Sequence, residues 1–154
     1  MKNIAGKLFK CTFLLALEIT TMQCTTKQAS NENHNTTENV EETIETIELI
    51  NGQKWQVNFE MKPFIMQAEE RFNAFTPSEN LNDYLKLADD LKNFNNNLIS
   101  SCTMKGKSHD ELHKWLHPHL GLVKQLSTAQ NTADANAVLA KLKASFENYH
   151  KYFE

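Results

Sequence analysis

The chain contains few Gly and Pro residues, which interrupt regular structure, and few Cys residues, which cross-link it. Of its 154 residues, 4 are Gly and 3 are Pro, which excludes collagen-like chains and low-complexity chains rich in these residues. Only 3 are Cys, too few for a disulfide-stapled scaffold. No apolar run reaches the roughly 20 residues that a permanent membrane-spanning helix needs. The length suits one domain with its own hydrophobic core.

Positive charge is also scarce. Lys and Arg number 16 against 19 Asp and Glu, which gives a net charge of −3. Because binding to a phosphate backbone depends on clustered Lys and Arg, we expect no nucleic-acid partner. The sequence also lacks a Gly-rich phosphate loop, a Ser nucleophile elbow and the Cys-x-x-Cys-His motif of covalent haem attachment. It therefore predicts a protein that is not an enzyme.

The first 24 residues have the layout of an export signal. Three lysines within residues 2–10 precede a short apolar run over residues 11–19. Cys24 follows, and residues 25–45 form a polar segment rich in Thr, Asn and Glu that has little to bury. This order resembles bacterial lipoprotein precursors, in which a peptidase cleaves before a cysteine that then carries the lipid. Residues 21–23 depart from the family pattern, which has a Leu, a small residue and Gly or Ala there.

The resemblance implies a lipid on Cys24 that anchors the mature protein to a membrane of the bacterial cell envelope. The protein would face the periplasm or belong to the outer membrane. The chain would then consist of an export segment (1–24), a disordered polar tether (25–45) and a folded domain (46–154). Two alternatives remain open for the first segment: a plain signal peptide that leaves a secreted protein, and an uncleaved anchor. No protein partner is indicated.

The folded domain has mostly helical patterning. Apolar residues recur at three- and four-residue spacing in four stretches, which are joined by short polar connections. This predicts an all-α domain, an antiparallel four-helix bundle. Asn51-Gly52, between two short apolar runs, predicts a β-hairpin or turn before the helices. The predicted core faces are Met61, Phe64, Ile65, Ala68, Phe72 and Phe75; Leu81, Tyr84, Leu85, Ala88, Leu91, Leu98 and Ile99; Leu112, Trp115, Leu116, Leu120, Val123 and Leu126; and Ala135, Val138, Leu139, Leu142, Phe146, Tyr149 and Phe153.

Several residues mark where these helices begin or bend. The pattern of residues 76–79 predicts the cap of the second helix, and that of residues 130–134 predicts the cap of the fourth. Ser108 and Glu111 fit a capping box at the start of the third, with the Ser hydroxyl and the Glu carboxylate each binding a backbone N–H. Pro118 removes one helical donor and predicts a kink in that helix.

Histidines cluster in the third predicted helix, where four of the six fall within residues 109–119. Each helical residue turns about 100°, which places His109, His113 and His117 at about 0°, 40° and 80°. His119 falls at about 280°, close to the centre of the apolar face near 285°. His119 should therefore point into the core, while the other three line one flank.

This cluster predicts a metal site. His109 and His113 stand four residues apart, the spacing that lets two imidazoles bind one ion. The preceding loop brings Cys102 and Met104, and Gly106 allows that loop to fold back. Sulfur combined with imidazole suits Cu(I) first and Zn(II) second. The predicted ligands are thus Cys102, Met104, His109 and His113, with His117 and His119 as further candidates; the cofactor would be a copper or zinc ion.

Other interpretations of the same residues stay open. Cys102 and Met104 could fill the core and His119 could be a buried core histidine, which would leave a metal-free interaction or structural module. A b-type haem between helices, held by His119 with Met61 or Met66, is a lesser alternative. The sequence His109-Asp-Glu-Leu-His113 does not fit the zinc-protease motif His-Glu-x-x-His, because its glutamate comes one residue late.

Overall fold

The computed structural model describes residues 46–154, which contain four helices. They are α1 (Lys62–Asn73), α2 (Leu81–Ser100), α3 (Lys107–Ser127) and α4 (Thr132–Tyr152). Each packs on the next along the chain, and α2 also contacts α4. The prediction of an all-α four-helix bundle is confirmed. Residues 1–45, which carry the predicted export signal, Cys24 and the tether, lie outside the described residues.

A tight turn precedes the bundle at Asn51-Gly52. Both residues have positive φ, 53° and 79°, and the backbones of Ile50 and Gln53 exchange hydrogen bonds of 3.0 and 2.9 Å. Within residues 46–154 no β-strand flanks this turn, and the pairing is a single bridge. The chain beyond it binds elsewhere, since the backbone N–H of Trp55 donates to the carbonyl of Tyr152 at 2.8 Å. The turn thus leads into a segment that pairs with the C-terminal end of the chain.

The core consists of two clusters of apolar side chains. One lies around Tyr84, Leu91 and Leu142, and the other around Trp115 and Phe153. Hydrophobic burial of these side chains is the main driving force for packing the helices. The predicted face of α4 is confirmed in full, because all seven of its members are buried.

The predicted faces of α1 and α2 need corrections. Leu87 is fully buried although it was not predicted in the core, whereas Ile99 is 46% exposed. Leu85 is half-buried, and so are the three phenylalanines of the predicted α1 face. The buried face of α2 is thus rotated from the predicted one, and Asn95, only 3% exposed, takes one of its core places.

The predicted capping box at the start of α3 is wrong. The helix begins at Lys107, its N-cap is Gly106 with φ of 64°, and no side chain caps it. The Ser108 hydroxyl donates instead to the carbonyl of Lys105 at 3.3 Å. The reason lies in Glu111, whose carboxylate is buried and binds lysines rather than the backbone of the first turn. The helix then continues without a break across residue 118.

Asparagine side chains cap the starts of α2 and α4. Asn131 caps α4 as predicted, since its side chain accepts the N–H of Asp134 at 2.8 Å. In α2 the N-cap is Asn80, which accepts the N–H of Asn82 at 3.1 Å, rather than a residue of the predicted segment 76–79. An Asn side chain in either place satisfies a backbone donor that the helix itself cannot.

Candidate metal centre

Three histidines of α3 form a continuous row along its surface. Nε2 of His113 lies 3.0 Å from Nε2 of His109, and Nδ1 of His113 lies 2.9 Å from Nε2 of His117. The ring centroids are 4.3 and 4.7 Å apart along the row. Each contact needs one protonated and one free nitrogen, which neutral imidazoles provide. The sequence prediction that these three share a flank agrees with their placement.

The row borders a groove that also contains the one free thiol of the described residues. Cys102, half-buried, lines this groove of about 370 Å³ together with the three histidines. The rest of the lining is apolar: Met61, Ile99, Leu112, Leu116 and Leu120. The structure therefore brings a thiol and imidazole nitrogens to one partly apolar surface.

The loop that carries Cys102 is held in place by Asn58. The Asn58 amide donates to the carbonyl of Ser101 at 3.1 Å and accepts the N–H of Thr103 at 3.3 Å. The N–H of Cys102 donates to the carbonyl of Ile99 at 3.2 Å, which continues the last turn of α2. These bonds fix the backbone on both sides of the thiol.

Electrostatics favours the neutral form of the central histidine. Burial lowers the pKa of His113 below its usual 6.5, and the neighbouring His109 and His117 lower it further. Asp110 acts in the opposite direction and is outweighed. Neutral imidazole is the form that binds a metal. His113 is thus in its ligand-ready state at neutral pH.

The candidate ligands are not arranged around a single point. Among residues 46–154, no three His, Cys, Asp or Glu side chains are placed so as to hold one metal ion together. The cause is visible at His113, which turns opposite ring nitrogens towards its two neighbours. Two nitrogens bound tetrahedrally to zinc at roughly 2.0–2.1 Å lie about 3.3 Å apart. The His109–His113 pair, at 3.0 Å, is close to that separation.

Met104 and His119 do not line the groove. Met104 is half-buried and packs against the core cluster around Trp115. His119 is fully buried and its Nδ1 lies 3.0 Å from the hydroxyl of Ser145. Its ring packs on Trp115 at 4.8 Å and on Phe146 at 5.0 Å, and burial lowers its pKa to about 4. The structure thus places His119 in the core, as the helical geometry predicted, and apart from the row.

The residues named for a haem site are dispersed. Met61 is fully buried and lines the groove beside the histidine row, while Met66 is 68% exposed. The ring of His119 is covered by aromatic side chains. His150, on α4, is half exposed and its Nε2 lies 2.7 Å from the carboxylate of Glu69.

Glu111 supports the site although the sequence did not single it out as a charged core residue. Its carboxylate is fully buried and lies 2.7 Å from Nζ of Lys107 and 3.0 Å from Nζ of Lys114. It also accepts the backbone N–H of Glu48 at 2.9 Å. Burial alone would raise the pKa of Glu111, but these three hydrogen bonds outweigh it and lower the pKa to about 2. The charged carboxylate fixes the first turns of α3, which carry His109 and His113. The sequence feature that could have predicted this pairing is the presence of lysines four residues before and three residues after Glu111.

In comparisons with known proteins, no protein-family model, no curated protein sequence and no solved structure matches the chain. The groove residues themselves therefore carry the functional argument.

Proposed function

We propose that this protein is an exported, lipid-anchored helical-bundle protein that binds a transition metal, copper or zinc, in the groove beside α3. The observation that carries the proposal is the pair of Nε2 atoms of His109 and His113, 3.0 Å apart, in the same groove as the Cys102 thiol. Lipidation at Cys24 would hold the bundle at the cell envelope. There it would capture, deliver or sense the ion.

The donor set suits these two metals. Two imidazoles and a thiolate give Cu(I) three soft or borderline ligands, and they leave Zn(II) one open place for water or a further histidine. His117 can fill that place if its ring turns away from His113. Met104 was also predicted as a ligand, but it does not line the groove. The proposed ligands are therefore Cys102, His109 and His113, with His117 as the nearest addition.

The antiparallel order of the helices and the β-hairpin before them are part of the same proposal. We take the four helices as an antiparallel bundle because only residues 74–80, 101–106 and 128–131 connect them. The turn at Asn51-Gly52 would be the tip of a short β-hairpin. In this arrangement the loop 101–106 lies at the start of α3, which keeps the thiol beside the first histidines of the row.

A metal-free interaction module is the second candidate. Phe59 is 79% exposed and Met66 is 68% exposed, and large apolar side chains left in water favour contact with another protein. This candidate predicts that the bundle retains no metal under any condition.

Removing the central imidazole tests the metal site. We expect His113→Ala to lower the affinity for Cu(I) or Zn(II) at least tenfold, because one ligand of the proposed pair is lost. Competition against a chromophoric chelator measures this affinity. The matched control is His150→Ala, on α4, which should bind the metal as the native protein does. Far-ultraviolet circular dichroism should show the same helicity in all three proteins. Unchanged affinity in His113→Ala would refute the site.

Lipidation has its own test. In cells that process lipoproteins, Cys24→Ser should move the protein from the membrane fraction to the soluble fraction, because the acceptor of the lipid is gone. Cys11→Ser, within the segment that would be cleaved off, should leave the protein in the membrane fraction. Immunoblots of the separated fractions measure the distribution. Membrane retention of Cys24→Ser would indicate an uncleaved anchor instead.

A further inference from the structure

A second cavity, a cleft of about 410 Å³, lies between α2 and α3 and does not involve the histidine row. Lys92 and Asn95 of α2 line it from one side, and Leu120, Val123 and Lys124 of α3 line it from the other. Its volume is within the range of small-molecule sites. Leu120 separates it from the groove, since this side chain lines both.

Asn95 is the feature of this cleft that the fold does not explain. It occupies a core place on α2, between Leu91 and Leu98, and is 3% exposed. Within the described residues its amide nitrogen has no hydrogen-bond partner. A buried amide without a partner destabilises a fold, and a leucine at this place would avoid the problem. Asn95 lines the cleft, so rotation of its side chain can turn the N–H₂ group towards a bound ligand.

The remaining lining indicates what such a donor would bind. Lys92 and Lys124 are both exposed, and neither forms an ion pair with another side chain of residues 46–154. Val123 and Leu120 add an apolar surface between them. The cleft therefore combines two unpaired positive charges, one buried donor and an apolar wall. An anion with an apolar portion complements all three.

We infer that the cleft is a binding site for a small amphipathic carboxylate. The carboxylate oxygens accept hydrogen bonds from the Asn95 amide and pair with the ammonium groups of Lys92 and Lys124. The aliphatic or aromatic portion packs on Leu120 and Val123. This site is independent of the proposed metal centre and does not need a bound ion.

Benzoate and its neutral analogue benzamide are suitable probes. We expect benzoate at millimolar concentration to shift the side-chain N–H₂ signals of Asn95 and the backbone signals of Leu120 and Val123 in ¹⁵N-correlated NMR spectra of the full chain. The shifts should saturate. Chelator is present throughout, so that no metal contributes. Benzamide should bind at least tenfold more weakly, because it has no charge to pair with the lysines. Equal affinity for the two probes, or no saturable shift, would overturn the proposal.

Variants assign the contacts. Lys92→Gln combined with Lys124→Gln should weaken benzoate binding at least tenfold, whereas the control Lys86→Gln, an exposed lysine of the same helix, should not change it. Asn95→Leu should abolish binding and unfold at the same or a higher temperature than the native protein, which separates lost binding from lost folding. His113→Ala should still bind benzoate, which separates this cleft from the metal centre. Native affinity in the Lys92/Lys124 variant or in Asn95→Leu would contradict the site.

Discussion

Replacing Glu111 with Gln is expected to lower the free energy of unfolding by about 3 kcal/mol at pH 7. The carboxylate is fully buried, and both lysines and the N–H of Glu48 are arranged around its charge. A neutral amide cannot pair with two ammonium groups, and Lys114 is itself largely shielded from water, with 18% of its side chain exposed. Urea denaturation followed by circular dichroism measures the difference. Glu147→Gln, an exposed site on α4, is the control and should unfold as the native protein does.

The pH dependence of this effect has a definite sign. Because the folded-state pKa of Glu111, about 2, lies below the ordinary 4.5, its contribution is fully present above pH 4.5. It is lost as the pH falls from 4.5 towards 2, where the folded protein also takes up the proton. The difference between the native protein and Glu111→Gln should shrink over this interval. A native-like stability of the variant at pH 7 would show that the lysines do not depend on this charge.

His119 should cause a separate loss of stability in mild acid. Burial lowers its pKa from 6.5 to about 4, so the unfolded chain takes up a proton before the folded one does. Stability from this group is therefore present above pH 6.5 and lost as the pH falls from 6.5 to 4. A shift of this size corresponds to roughly 3 kcal/mol. Only the Glu111 effect extends below pH 4 and only the His119 effect extends above pH 4.5, which allows the two effects to be distinguished.

His119→Gln isolates the contribution. Glutamine can keep a hydrogen bond to the hydroxyl of Ser145 but does not titrate in this range. We expect the free energy of unfolding of this variant to change much less between pH 6.5 and 4 than that of the native protein. The exposed histidine variant His150→Gln should retain the native slope. Equal slopes for His119→Gln and the native protein would mean that the buried imidazole is not the titrating group.

Periodicity was enough to predict how side chains are distributed around α3 and α4, whereas it gave a rotated face for α2. It predicted that His119 points inwards and that His113 lies on a flank with His109 and His117, because a regular helix fixes these angles from the sequence alone. The buried face of α4 followed in the same way. The position of Cys102 near this flank followed from the chain connectivity, since only a short loop separates the thiol from the start of α3.

What periodicity could not predict are polar groups whose partners are distant in the sequence. The local sequence around Glu111 predicts a cap, whereas one of the hydrogen bonds of this carboxylate reaches the backbone 63 residues earlier. Asn95 interrupts an apolar face, and a run of asparagines gives no sign that one of them is buried. Whether a sulfur such as that of Met104 turns to a groove or to the core depends on packing against distant side chains. These three residues required the tertiary structure.

X-ray absorption at the metal edge tests the metal centre most directly. The full chain is loaded with one equivalent of Cu(I) or Zn(II), freed of excess ion and compared with Cys102→Ser. The proposal predicts two nitrogen ligands near 2.0 Å and one sulfur ligand near 2.3 Å, with the sulfur signal absent from the variant. A chain that retains no metal, or a spectrum with only nitrogen and oxygen ligands that is identical in Cys102→Ser, would contradict the account.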